Sequence, residues 1–312
     1  MTPFAFVFPG QGSQSVGMLN AWGDHAAVRA TLAEASEALG EDVAGIIRRG
    51  PKETLDLTTN TQPYMLTAGV ACLRAWLAET GVQPSIVAGH SLGEYTALVA
   101  AGSLTLTQAL PLVRFRAQAM QQAVPVGQGS MAAILGLDAA TVVAGCAEAM
   151  AQVGEPVEAA NFNDPKQTVI AGTKAAVDCA CEVLKAKGAK RALLLAVSAP
   201  FHSSLMRPAA EQLKTRLADI VLAAPQIPLI NNIDVAVQTD PQAIREALYR
   251  QSFGAVRWVE TIQAIRARGI AYIVECGPGK VLAGMVKRIE PEATGLPMFD
   301  LASLIEAKGF LS

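Results

Sequence analysis

The chain has 312 residues, 51% of them hydrophobic and 17% charged, which is enough apolar surface to exclude an intrinsically disordered chain. Twenty-five Lys and Arg stand against 27 Asp and Glu, a formal charge of -2 that leaves no global basic field for nucleic acid. No apolar run approaches the ~20 residues that span a bilayer, and scarce aromatics (5%) fit helices packed closely on a sheet.

The apolar stretch from Met1 to Phe8 reads as a strand entering the loop Pro9-Gly10-Gln11-Gly12, without the basic n-region of a signal peptide. Leu66, Val70, Leu73 and Leu77 recur at helical spacing and predict a helix over 62–80. A strand over 85–89, a small-residue helix over 92–101 and a helix over 105–122, opened by Ser-Leu-Thr, follow. The Pro/Gly connector 124–129 marks a domain boundary. Beyond it come a strand (131–137), a helix from the N-cap Asp138 to 150, and two strands (157–162, 168–171) joined by Asn163-Asp164-Pro165-Lys166. A helix (174–187) and a strand (191–197) complete the order β-α-β-β-α-β, a ferredoxin-like unit of about 70 residues. A helix over 203–220, a strand over 229–233, helices near 241–249 and 258–268 and a strand over 271–275 return to the larger body. The expected class is α/β, with a main domain of 1–127 and 199–312 and an inserted subdomain of 128–198. The five cysteines are odd in number and form no C-x-x-C, so they read as buried free thiols suited to a reducing cytoplasm.

The strongest local signal is Gly89-His90-Ser91-Leu92-Gly93, a G-x-S-x-G between a predicted strand and a predicted helix. A sharp strand-to-helix turn lifts the serine hydroxyl clear of the backbone, and the flanking glycines let the chain pass closely. The Leu92 N–H then stands at a helix N-terminus, where unpaired donors favour an oxyanion. A bare G-x-S-x-G also arises by chance; the strand-before, helix-after context is what favours a nucleophile at Ser91.

Three histidines are available as its base. His25 reads as a surface residue and His90 as a side chain packed in the turn, pointing away from Ser91. His202, where the chain returns from the inserted unit, is placed either as a cleft-facing base or as a cap of the next helix. No Asp or Glu stands out as a third member, so a backbone carbonyl or an amide side chain is expected to orient the base. With His202 as the base, turnover is expected to fall near or below pH ~6.5, the value of an unperturbed imidazole. Pro9-Gly10-Gln11-Gly12-Ser13-Gln14 lacks the spacing of a dinucleotide loop, and Gly277-Pro278-Gly279-Lys280 that of a P-loop. Gln11 is open between a polar group offered to a pocket and an ordinary loop residue. Arg116, taken alone, reads as a solvated helix arginine.

Seven segments in order carry a resemblance: Phe8 to Gln14; Thr61-Gln62-Pro63; Gly89 to Tyr95; Arg116 with Met120-Gln121; Ala160-Asn161-Phe162-Asn163; Pro200-Phe201-His202; and Glu275 to Gly279. Together they resemble the malonyl-CoA:acyl carrier protein transacylases of bacterial fatty acid synthesis, over nearly the whole chain. The resemblance implies an α/β-hydrolase-like main domain with a parallel sheet and an inserted ferredoxin-like subdomain. It implies Ser91 as acylated nucleophile, His202 as base, the amides of Leu92 and Gln11 as oxyanion donors, and Arg116 as partner of the malonyl carboxylate. Gln251 is expected to orient the histidine and Asn161 to lie near the pocket. The implied activity is ping-pong malonyl transfer from malonyl-CoA to a phosphopantetheinylated acyl carrier protein, with no metal or other cofactor. The protein is expected to be a cytoplasmic monomer, without nucleic acid or membrane partners. Lys185, Lys187, Lys190 and Arg191 form either a docking patch for an acidic carrier or a solvated helix end.

Overall fold

A computed structural model of the chain describes residues 2–312; Met1, which opens the first apolar run, lies outside them. The strands are β1 (Phe4–Phe8), β2 (Ile86–Gly89), β3 (Gly129–Leu135), β4 (Val157–Asp164), β5 (Gln167–Thr173), β6 (Arg191–Leu194), β7 (Leu229–Ile230), β8 (Tyr272–Cys276) and β9 (Thr294–Met298). They form two sheets. The larger, in order β7-β2-β1-β8-β9, is parallel throughout. The smaller, in order β4-β5-β3-β6, is antiparallel and has the strand order of a ferredoxin-like unit.

Alternation along β1 builds two cores at once. Phe4, Phe6 and Phe8 point to one face, where Phe4 and Phe6 meet Trp76 edge-on at 5.4 and 5.6 Å. Ala5 and Val7 point to the other, against Trp258, Ile262 and Val286. A central strand covered by helices on both faces is apolar at every position, which is why β1 shows no polar alternation.

Three neighbouring parallel strands end on the same side of the sheet. Gln11 follows β1, Ser91 follows β2 and Asn232 follows β7, so the crevice beyond the carboxyl edge collects residues distant in sequence. The small sheet is fastened to this body along β4. Phe162 N–H donates to Val256 O, Val256 N–H donates to Ala160 O, both at 2.9 Å, and Arg288 Nε donates to Asp164 Oδ2 at 2.8 Å. Its opposite edge, β6, carries the exposed Leu193 and Leu194. The chain enters and leaves the small sheet at one place: a Cβ on Gly129 would lie 2.4 Å from Pro200 Cδ.

Several elements differ from the sequence-based expectation, each for a local reason. The helix placed at 62–80 begins at Thr58, a turn earlier, because Pro63 is accommodated inside it rather than opening it. The strand expected over 229–233 stops at Ile230, since Asn231 Oδ1 accepts from Asp234 N–H while Asn231 N–H donates to Ala236 O, closing a turn. The helix expected from 203 starts as a 3-10 turn, Ser204–Met206, and becomes α-helical at Arg207, with Pro208 in its first turn. β6 ends at Leu194, short of 197. The C-terminal helices Val281–Ile289 and Leu301–Leu311 and strand β9 were not anticipated; the Gly and Pro of Thr294–Met298 fit a sheet edge. Asp138 caps its helix as expected, accepting from Thr141 N–H at 2.9 Å. All five cysteines are free, but Cys179 is only half-buried. His25 is not a plain surface residue: it precedes helix Ala26–Leu39, packs against Trp22 and has Nε2 3.2 Å from Glu79.

Candidate active site

The serine turn is built by steric necessity. A Cβ on Gly89 would lie 1.9 Å from the Gly93 carbonyl, and one on Gly93 would lie 2.1 Å from Phe8 O. Both glycines are therefore fixed by contact, which seats helix Gly93–Ala100 directly on the ends of β1 and β2. Ser91 itself has φ 54° and His202 has φ 60°, both in the left-handed region that non-glycine residues occupy only when their surroundings hold them there.

Ser91 Oγ lies 2.6 Å from His202 Nε2, and His202 Nδ1–H donates to Gln251 O at 2.9 Å. That second bond fixes the tautomer and leaves the Nε2 lone pair for the serine proton. The orienting group is thus a main-chain carbonyl; among the described residues no carboxylate touches the ring. His202 is buried, and burial, aided by the nearby Arg116 charge, lowers its pKa to about 3. The acid limb of the free site is therefore expected below, rather than near, pH ~6.5.

Arg116 is 2% exposed, not a solvated helix residue. It donates to Gln62 Oε1 at 2.8 Å, to Gln251 Oε1 at 3.2 Å and to Ser91 Oγ at 3.3 Å, with its guanidinium over the Tyr95 ring. These partners are all neutral, so a buried cation stands beside the serine hydroxyl without a hydrogen-bonded anion among the described residues. Burial pushes its pKa down from the usual arginine value, yet guanidinium is the cation that stays charged when desolvated.

A cavity of about 190 Å³ opens over these groups, lined on one side by Gln11, Ser91, Leu92 and Arg116 and on the other by Asn161, Asn163 and apolar residues of the small sheet. Neither Gln11 N–H nor Leu92 N–H has a partner among the described residues, while neighbouring Gly12 N–H is taken by Gln14 Oε1. Gln11 Nε2 donates to Thr58 Oγ1 at 3.3 Å, which keeps the side chain aside from its own amide. Of the expected residues, Ser91, His202, Gln11, Leu92, Arg116 and Asn161 share the cavity, whereas Gln251 does not line it. Gln251 is fully buried behind the serine, and it is its carbonyl, not its side chain, that meets the histidine.

Three contributors were given no role in the sequence reading, and Glu94, expected to face away from Ser91, joins the network behind it. Asn232 accepts the Ser91 N–H at 2.7 Å; Glu94 accepts from Asn232 N–H and Gln251 Nε2 at 2.9 and 3.1 Å; Asn163 accepts from His90 Nε2–H at 2.8 Å. His90 packs in the turn against Trp258 as expected, but its ring also reaches the cavity wall. Burial raises the Glu94 pKa to about 7. An Asn-Asn pair after a strand is an ordinary turn signal, and nothing local marks one of the two as reaching the serine.

The model of the family described as "Acyl transferase domain" matches residues 5–304. The chain belongs to this family. A malonyl CoA-acyl carrier protein transacylase of Salmonella typhimurium is 50% identical over 309 residues, covering 98% of this chain and 99% of that protein. The crystal structure of an acyl-carrier-protein S-malonyltransferase from Burkholderia pseudomallei superposes with TM-score 0.96 at 64% identity, covering 98% of this chain and 99% of that one. A malonyl-transacylase solved in complex with its type II PKS acyl-carrier protein superposes equally well, TM-score 0.96 at 47% identity, over 98% of this acyltransferase and 99% of that chain. The α/β class, the parallel main sheet and the small ferredoxin-like sheet are thus those of the malonyl transacylases.

Proposed function

We propose that the protein transfers the malonyl group of malonyl-CoA to the phosphopantetheine thiol of an acyl carrier protein through an acyl-serine at Ser91, supplying malonyl units for fatty acid synthesis. The observation that carries this reading is the buried Arg116, whose Nη2 lies 3.3 Å from Ser91 Oγ with only neutral hydrogen-bond partners. An acyl group with its own carboxylate satisfies that cation bidentately, whereas acetyl leaves it unpaired.

His202 Nε2 takes the Ser91 proton as Oγ attacks the thioester carbonyl, and the amides of Leu92 and Gln11 receive the developing oxyanion. The C–S bond breaks, the proton on His202 goes to the departing coenzyme A sulfur, and malonyl-Ser91 remains. The carrier thiol then gives its proton to His202 and attacks the ester carbonyl; the ester C–Oγ bond breaks, the proton passes from His202 to Ser91 Oγ, and the carrier leaves as the malonyl thioester. Side chains and main-chain amides supply every step, so no metal or cofactor is assigned. We assign 1–127 and 199–312 to the catalytic domain and 128–198 to a subdomain that closes the cavity. Both walls come from one chain, which supports a monomer as the working form, and five free cysteines support a cytoplasmic setting. The relative solved with its carrier supports the partner.

In the cluster left open between a docking patch and a solvated helix end, all four cations are exposed; Lys185 pairs with Glu182 and Lys187 with Glu148, both at 2.8 Å, while Lys190 and Arg191 have no ion-pair partner among the described residues.

Intact-protein mass spectrometry after incubation with malonyl-CoA tests the proposal. A malonyl adduct absent from Ser91→Ala, weak or missing with acetyl-CoA, and transferred to added phosphopantetheinylated carrier is expected. An adduct that decays to free malonate while carrier stays unmodified would instead make the protein a hydrolase.

A further inference from the structure

Ser91 keeps φ 54° although it is not a glycine, and groups from outside its own turn help to hold it there. Both of its main-chain polar groups are held by side chains far away in sequence. Its N–H donates to Asn232 Oδ1 at 2.7 Å, and its carbonyl accepts from Gln251 Nε2 at 2.9 Å. Asn232 Nδ2 also donates to Gly89 O at 2.7 Å, so one carboxamide spans the turn on both sides of His90. Asn232 is completely buried.

The holder is itself held. Asn232 N–H donates to Glu94 Oε2, which Gln251 Nε2 shares, and Glu94 lies on the helix that Ser91 introduces. Two residues beyond Asn232, Asp234 takes both Nη atoms of Arg250 at 2.6 and 2.7 Å, and Arg250 immediately precedes Gln251. The turn carrying Asn232 and the helix end carrying Gln251 are thereby fixed to each other as well as to the serine.

We propose that Asn232 is a positioning residue for acyl transfer: its carboxamide holds the Ser91 peptide in its left-handed turn and occupies the Ser91 N–H, leaving the Leu92 N–H as the unpartnered donor at the turn. This rests on Ser91 being the nucleophile. Without the bridge, the Ser91 peptide relaxes toward negative φ and carries Oγ away from His202 and Arg116. A displacement of about 1 Å at a reacting atom costs on the order of 10²-fold in rate.

The test is single-turnover acylation of the full chain by malonyl-CoA, read by intact mass. Wild type must first show an adduct that Ser91→Ala lacks; failure there overturns the nucleophile reading, whatever Asn232 does. With the adduct established, Asn232→Ala is expected to slow acylation at saturating malonyl-CoA by about 10²-fold while the half-saturating concentration stays within about threefold. Its thermal unfolding is expected to remain cooperative. Asn232→Asp keeps an acceptor for the Ser91 N–H but sets a second oxygen against Gly89 O. The charged and titratable groups linked to it are Glu94 directly, the Asp234–Arg250 pair through its own turn, and His202 and Arg116 through Ser91 and Gln251. It is expected to be slow at pH 8 and to recover toward wild type at pH 6, as a protonated carboxyl again donates to Gly89 O. Acylation by Asn232→Ala within about threefold of wild type would overturn the proposal, as would an aspartate variant equally impaired at both pH values. If the alanine variant loses its cooperative transition, the aspartate variant decides alone.

Discussion

The two walls of the cavity are built on different principles. On the main-domain side nearly every polar atom around the serine is already engaged: Ser91 by Asn232 and Gln251, His202 by Gln251 O, Arg116 by Gln62 and Gln251. On the small-sheet side Met131, Val169, Leu195 and Val197 present apolar surface beside Asn161 and Asn163, and β6, which ends just before Leu195, is a four-residue edge with exposed leucines. Rate enhancement by preorganised dipoles needs the first kind of wall, because groups that must reorient during reaction stabilise little. Exclusion of water from an acyl-serine needs only the second, a surface of the right shape.

The largest effect that would sharpen this contrast is expected at Arg116. Removing one partner of a buried charge pair costs about 3–5 kcal/mol, on the order of 10²–10⁴-fold in kcat/KM for malonyl-CoA. Arg116→Ala is expected to lose that much with malonyl-CoA while acetyl-CoA, with no carboxylate to place, loses far less. Equal losses with both thioesters would break the contrast, because the guanidinium would then act through Ser91 alone.

Next in size is the pH dependence. His202 is depressed to about 3 by burial first and by the Arg116 charge second. A bound malonyl carboxylate neutralises that second cause, so the pKa in the malonyl-enzyme stands above that of the free site. Acylation, followed as kcat/KM for malonyl-CoA, is expected to stay flat from pH 8 to about pH 5, with the acid limb of transfer from malonyl-Ser91 at higher pH. Coincident limbs would show that the carboxylate does not reach Arg116. The same depression carries a stability cost: below ~6.5 the unfolded chain binds a proton that the folded one refuses, so stability falls as pH falls.

The smallest effect is expected at the apolar wall. Leu195→Ala removes part of a half-exposed side chain and is expected to change the acylation rate by about fivefold or less, while raising the fraction of malonyl lost to water in the absence of carrier. A loss comparable to that of Arg116→Ala would place chemistry on the subdomain side.

What could be read in the sequence follows the reach of each interaction. The Ser91 turn is encoded within five residues by two glycines that contact forbids from carrying a Cβ, so strand, turn and helix were legible together. His202 emerged from elimination among three histidines. Helical periodicity placed Arg116 on its helix but said nothing of its burial, since Gln62 and Gln251, its partners, lie far away in the chain. Asn232 was illegible for the same reason: its turn looks ordinary, and its partners Gly89 and Ser91 sit on a neighbouring strand end more than a hundred residues upstream. β9 was hidden by its own Gly and Pro, which only a sheet edge tolerates.

The meeting of Gly129 with Pro200 has a consequence for the order of folding. β2 must find β7 across residues 90–228, a long connection for a parallel pairing. A segment whose two ends touch behaves, once folded, as a single short link, so early closure of the small antiparallel sheet removes roughly half of that connection from the search and lowers its loop-closure entropy. The hairpin of β4 and β5, with its two-residue turn, is the local nucleus from which such closure would start.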